Sequence, residues 1–227
     1  METMMKIKLR WNSCVRRWLA ACILAGGAFP ALAVEAGTLI TALEGSASRG
    51  SANGPQTLQS FVRLKEGDLV ALERGARLKL VYLANGRQEN WEGNGRLEIG
   101  ATESKSWGLK EPRVAQLPAV LVAQIAKTPT IDSQGRAGMT RLRAIASADA
   151  VARIEKTYRR LRAEAEQDDL NPEMYLLSGM LEIRALDRVE QAIEDLRASR
   201  PADPQAKLLV ALYQHSLRNA KEISSRP

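Results

Sequence analysis

The sequence predicts an α+β chain in two domains, an N-terminal all-β domain followed by a C-terminal all-α domain of helical hairpins. Three observations carry this expectation. Between Gly37 and about Gly100, β-branched and aliphatic residues come in short runs broken by turn residues, three Asn-Gly pairs among them. From Asp149 to Glu222 the apolar period lengthens to that of helices. Between these regions, Pro112, Pro118 and Pro129 divide a less regular stretch. The predicted boundaries are 1–33 for a cleavable export signal, 34–110 for the β domain, 111–148 for a linker with one short helix, and 149–227 for the helical domain.

The first segment has the charge order of an export signal. Lys6, Lys8, Arg10, Arg16 and Arg17 precede an apolar run from Leu19 to Phe29, and Ala31-Leu32-Ala33 supplies a small-x-small cleavage site. The run is shorter than the roughly 20 residues that cross a bilayer, so removal is expected rather than anchoring. Leu19-Ala20-Ala21-Cys22 has the outline of a lipobox, but the apolar stretch lies mostly after Cys22, which argues against lipidation. The surroundings of Arg16-Arg17 match a twin-arginine signal poorly, which leaves general secretion favoured. Residues 1–33 hold five of the 33 basic residues and one of the 26 acidic ones, leaving 28 and 25, net +3. A remainder so nearly balanced, with no clustered basic patch, gives no reason to expect nucleic-acid binding. Both cysteines, Cys14 and Cys22, fall in the signal, so disulfides and thiolate metal ligands are excluded from the mature chain.

In the β region, Asn85-Gly86 suits a type I′ turn and follows the apolar-rich run Leu78 to Ala84, so a hairpin closing onto Arg87 to Trp91 is expected. Alternation puts Leu78, Leu80 and Tyr82 on one face and Lys79, Val81 and Leu83 on the other, which predicts cover on both faces. Gly45 to Pro55, with almost no bulky side chains, reads as a mobile loop. In the linker, Pro118 suits a first helical turn, and Leu117, Val120, Leu121 and Ile125 would form one apolar face. Its polar side is too poor in Lys and Arg for membrane-surface binding, so packing on a domain is expected. Gly135 to Gly138 reads as a turn before a short strand or linker, Met139 to Ile145.

Four helices are expected beyond. The first runs from about Asp149 to Gln167, with Val151, Ile154, Tyr158 and Leu161 on one face; Arg159, Arg160 and Arg162 fall on its solvated side. The second opens at Asn171-Pro172, with Asn171 as the cap. Asp187 with Glu190 three residues on resembles a capping box for the third. Asp203-Pro204 opens the fourth, which carries Leu208, Leu209, Leu212 and Tyr213. The change of period near residue 145 predicts separate cores.

Two families are resembled at specific residues. Ile40-Thr41-Ala42-Leu43-Glu44-Gly45, Leu64-Lys65-Glu66-Gly67-Asp68, Arg74 to Leu80, Asn85-Gly86 and Gly95 to Ile99 look like the periplasmic FecR-type domain over about residues 38–100. The pattern is strand and turn chemistry, so it implies a fold more than an activity, and the cytoplasmic anti-sigma segment of the family's membrane-anchored sensors has no counterpart here. Tyr175 and Gly179 have the spacing of the aromatic and glycine in the first helix of a tetratricopeptide repeat, and Ala192, Leu196 and Pro204 match its later positions. Over about residues 149–222 this resembles degenerate tetratricopeptide (TPR)-like hairpins, and Leu161-Arg162-Ala163 recurs as Leu196-Arg197-Ala198.

Chemistry is sparse. His215 is the only histidine. Asp168-Asp169 with Glu164 and Glu166 is acidic but lacks the ladder of a calcium loop, and neither a phosphate-cradling loop nor a nucleophile elbow is present. No catalytic residue, cofactor or metal is expected. Trp91 reads as core and Trp107, beside Gly108, as an exposed aromatic. The expectation is a non-enzymatic protein of the bacterial cell envelope, periplasmic or secreted, serving as a protein-protein scaffold or sensor. The groove between the second and fourth predicted helices would be its binding surface, with Tyr175, Gly179, Leu208 and Tyr213 as contact residues. The alternative is binding of envelope glycan or peptidoglycan by the β domain through Trp107. No nucleic-acid partner and no stable membrane insertion after signal removal are expected.

Overall fold

A computed structural model of the chain describes residues 37–51, 54–130 and 147–225. The export signal with both cysteines, Asn53, and the segment Gly135 to Ile145 lie outside the described residues. Those described combine a curled antiparallel β-sheet with five helices, an α+β arrangement.

The sheet is organised by one long hairpin. Strand β5 (Leu69–Tyr82) pairs with β6 (Arg87–Ile99) from Leu69 opposite Glu98 to Val81 opposite Gln88. Along the other edge of β5 lie β2 (Ala47–Arg49), on its first half, and β1 (Thr38–Glu44), on its second. Beside β6 lie β7 (Ser104–Trp107) and β8 (Arg113–Gln116), one along each half. Short β3 (Gln56–Thr57) and β4 (Arg63–Leu64) extend β2 and β1. The register of the hairpin slips between Leu72 and Ala76, where Gly75 has φ +78° and Gly93, facing Ala76, has φ +126°. Only glycine reaches such angles without steric cost, and the slip bends both strands so that the sheet curls.

Several turns differ from the sequence reading. The β5–β6 connection is a four-residue turn, Leu83 to Gly86, closed by Gly86 N–H donating to Tyr82 O at 2.8 Å. Gly86 alone takes positive φ, so the two-residue type I′ geometry is absent; Asn85 instead accepts the Arg87 N–H through Oδ1. Asn94-Gly95 lies inside β6 rather than at a turn. At Gly95 a Cβ would sit 2.6 Å from Trp107 O, so the glycine admits the close approach of the neighbouring chain. Part of the expected Gly45 to Pro55 loop is β2.

The alternation read from β5 holds. Leu78, Leu80 and Tyr82 join Ile40, Leu72, Trp91, Leu97 and Ile99 in a cluster inside the curl. Val81 faces the other way and, with Leu39, Phe61 and Leu83, belongs to the same apolar cluster as the helices. Burying each such side chain stabilises by about 1.5–3 kcal/mol. Sheet and helices therefore share a core, where the change of period alone predicts separate ones.

The helices are α1 (Ala119–Ile125), α2 (Ala148–Glu164), α3 (Asn171–Glu182), α4 (Leu186–Ser199) and α5 (Pro204–Ser225). Helix α1 buries Leu121, Val122 and Ile125, whereas Val120, expected on the apolar face, is 43% exposed. Ser147 caps α2 by accepting the Ala150 N–H. Asn171 does not cap α3: it is the first helical residue, and Asp169 Oδ1 accepts its N–H at 3.0 Å. Asp187 likewise lies within the first turn of α4 and makes no cap bond. Asp203 does serve α5, accepting the Gln205 N–H at 2.8 Å. Among the described residues no helix is long and apolar enough to cross a membrane.

Candidate functional site

The helical residues singled out from sequence lie mainly in the interior. Tyr175, Tyr213 and Gly179 are buried, and Leu208 is half-buried against the shared cluster. A Cβ on Gly179 would meet Ile154 Cδ1 and Cγ2 at 3.3 Å, so the glycine sets the approach of α3 to α2. The Tyr213 hydroxyl bonds Ser178 of α3 and Thr128, three residues past α1. Burial pushes its pKa up to about 12.

The face expected to form a groove is occupied by the chain itself. Helix α1 packs on α3, Gln124 and Lys127 donate to Glu182 at 3.2 and 2.7 Å, and Asn171 Nδ2 donates to Gln88 Oε1 of β6 at 2.8 Å. The apolar face of α1 needed a partner, and the small polar residues Ser178 and Thr128 let the chain close onto α3. The open groove between α3 and α5 anticipated from sequence is thus filled.

An open concavity lies where the sheet meets the helices. It is a cleft of about 510 Å³. Its floor is the outward row Ala42, Lys79, Asn90 and Arg113, in register across β1, β5, β6 and β8. Its wall is the α2–α3 loop, Glu166 to Leu170, with Asp203 and Gln205 of the α5 start. Lys79 Nζ faces Asp169 Oδ1 across the cleft at 4.0 Å, too long for a hydrogen bond. Asn90 Oδ1 is buried and has no hydrogen-bond partner.

Two polar networks hold floor and wall. Under the floor, the fully buried Glu89 carboxylate accepts from Arg87 Nε at 2.8 Å, Trp91 Nε1 at 2.9 Å and Ser104 N at 3.2 Å. The bond to Glu89 raises the Arg87 pKa further above its ordinary value. Tyr82 shares Ser104 through its hydroxyl at 2.6 Å, and burial pushes its pKa up to about 12. Behind the wall, Arg162 turns inward rather than to solvent. It donates to Asp169 O at 2.6 Å and to the carbonyls of Ala165 and Glu166, and pairs with Glu173 at 3.1 Å. The loop's carbonyls are orphans of a helix end, and one guanidinium satisfies several of them. Burial and the neighbouring Glu173 raise the Tyr158 pKa.

Trp107, at 52% exposure, stands on the outer face of β7 in a row with Arg96, Ala71, Ser48 and Thr57 across five strands. Trp91 is core, and it also contributes to the cleft floor. His215 is exposed on α5, its Nε2 3.2 Å from Asn219 Nδ2. Among the described residues no three metal-ligating side chains are grouped to hold an ion.

Sequence reasoning missed Lys79, Asn90 and Arg113. A faint signal existed in Lys79 between Leu78 and Leu80, and in Gln88-Glu89-Asn90 inside a strand, where buried polar groups demand partners. Comparison with protein-family models, curated protein sequences and solved structures returned no match.

Proposed function

We propose that this is an exported, non-enzymatic binding protein of a bacterial cell envelope, which engages a protein partner at the cleft between sheet and helices. The observation that carries the reading is the cleft itself: a concave site of about 510 Å³ whose floor is fixed by a buried polar network and whose wall is fixed by a part-buried one. The FecR-like strand pattern and the TPR-like spacing support a recognition role, and the charge order of residues 1–33 supports export. The test is site-specific photocrosslinking in envelope extract, with the reactive group at Asp168 on the cleft wall or at Trp107 on the sheet. A saturable protein adduct from position 168, competed by unlabelled protein, is the expected result. Adducts from position 107 alone would overturn it.

A second reading, glycan binding by the sheet, is favoured by Trp107. An exposed indole beside Arg96, with the small residues Ala71 and Ser48 beyond it in the same row, resembles a stacking shelf for a sugar ring. Trp107→Ala would then abolish saccharide binding and leave the crosslink at position 168 intact.

A further inference from the structure

The outer side of the helical layer carries two rows of opposite charge. Helices α2, α3 and α4 are joined by short loops, so α2 and α4 run parallel, both packed on α3. Arg188 of α4 pairs with Glu155 of α2 at 3.9 Å, which sets the two side by side. On α2, Val151, Ile154, Tyr158 and Leu161 turn toward the core, so the helical period sends Arg153, Lys156 and Arg160 outward with Arg159 beside them. On α4, Val189, Ile193 and Leu196 turn inward, and Asp187, Glu190, Glu194 and Asp195 outward. All of these charged side chains are exposed. The α2 cations, with Asp187 and Asp195, have no side-chain hydrogen bond or ion pair among the described residues. Glu190 and Glu194 pair with Lys221 and Arg197, and Asp149 and Glu164 flank the basic row at its ends. Exposed pairs of this kind are weak and exchange readily.

The relation between the rows singles out a partner. With Glu155 level with Arg188, equal rise along both helices puts Arg153, Lys156, Arg159 and Arg160 level with positions 186, 189, 192 and 193, among Asp187, Glu190 and Glu194. A two-fold axis running along the helices, over the seam between them, lays α2 of one copy on α4 of another at that same level, twice over. An axis across the helices would set α2 on α2, cation against cation. The face is therefore complementary to itself in one closed arrangement. We infer that a second copy of this chain docks on the α2–α4 face, the basic row of each α2 lying on the acidic row of the other copy's α4. None of these rows lines the cleft, so the inference holds whatever the cleft binds.

Sedimentation velocity of the intact protein tests it. A dimer is expected at low salt and dissociates as salt rises. Lys156→Glu with Arg160→Glu, or Asp187→Lys with Glu194→Lys, should each raise Kd about thirtyfold, a loss of about 2 kcal/mol spread over four exposed ion pairs because the two-fold repeats each contact. The altered side chains are exposed, and melting temperatures verify that both variants fold. The first variant carries two acidic rows and the second two basic ones, so an equimolar mixture should recover the dimer that neither forms alone. A monomer at low salt up to submillimolar concentration, reversals without effect on Kd, or a mixture that stays monomeric overturns the inference. So does a wild-type monomer that cosediments with phosphatidylglycerol vesicles, which would assign the α2 row to an anionic membrane surface.

Discussion

Glu89→Ala is predicted to destabilise the protein more than any surface change. The carboxylate is fully buried and accepts three hydrogen bonds, two of them from the Trp91 indole and the Ser104 backbone. Arg87 is 29% exposed and lies 3.6 Å from Glu103, so water and that carboxylate can still serve it. The indole and amide donors have no such recourse. Each of these two orphaned donors costs about 1–3 kcal/mol, or about 2–6 kcal/mol together. At about 2–4 °C per kcal/mol for a chain of this size, the melting temperature should fall by about 10 °C. Glu89→Gln keeps one acceptor oxygen and should lose about half as much. Thermal unfolding by circular dichroism measures both, and a double-mutant cycle with Trp91→Phe should show coupling of about 1 kcal/mol or more. A loss below about 1 kcal/mol for Glu89→Ala, or no coupling to Trp91, would refute the claim that this network holds the cleft floor.

Three further outcomes are expected. Tyr82 and Tyr213 ionise near pH 12 when folded and near 10 when unfolded, so below pH 10 both states keep the proton. Between 10 and 12 the unfolded chain releases it first and stability falls; the urea midpoint should drop across that window, less so in Tyr213→Phe, and a flat profile would refute the assignment. Gly95→Ala drives a Cβ to 2.6 Å from Trp107 O and 2.7 Å from Leu109 Cγ, and should cost about 1–3 kcal/mol in urea unfolding, with the near-ultraviolet signal of Trp107 altered. Fragments 34–145 and 146–227 made separately should each lack a cooperative transition, because α1 and the sheet residues Leu39, Phe61, Val81 and Leu83 would be parted from the members of their cluster on α2 to α5; cooperative unfolding of either fragment would count against the shared core.

What could be read from sequence was periodic and local. The two-sided cover of β5, the starts of α2 and α5, and the core position of Trp91 follow from alternation, caps and turns, all of which act within a few residues. What could not be read depends on which distant faces meet. The contact residues assigned to a groove, Tyr175, Gly179, Leu208 and Tyr213, have helical spacing that fits either an open face or a packed one. The choice was made by α1 and Thr128, about 50 residues or more away along the chain. Arg162 looked solvated because its sequence neighbours are charged, yet the carbonyls it satisfies exist only once the α2–α3 loop closes. The cleft is harder still, since Lys79, Asn90 and Asp168 come together only through strand register and the docking of a loop.

The interleaving of Leu80 and Val81 into different clusters has a consequence for inheritance. Any recombination that exchanged the helical half for that of another chain would leave alternate residues of β5 facing a surface they were not selected against, while their immediate neighbours stayed well packed. Sheet and helices must therefore vary together, and substitutions at Val81 or Leu83 should be matched by changes among the helical members of their cluster as well as at Leu39 and Phe61.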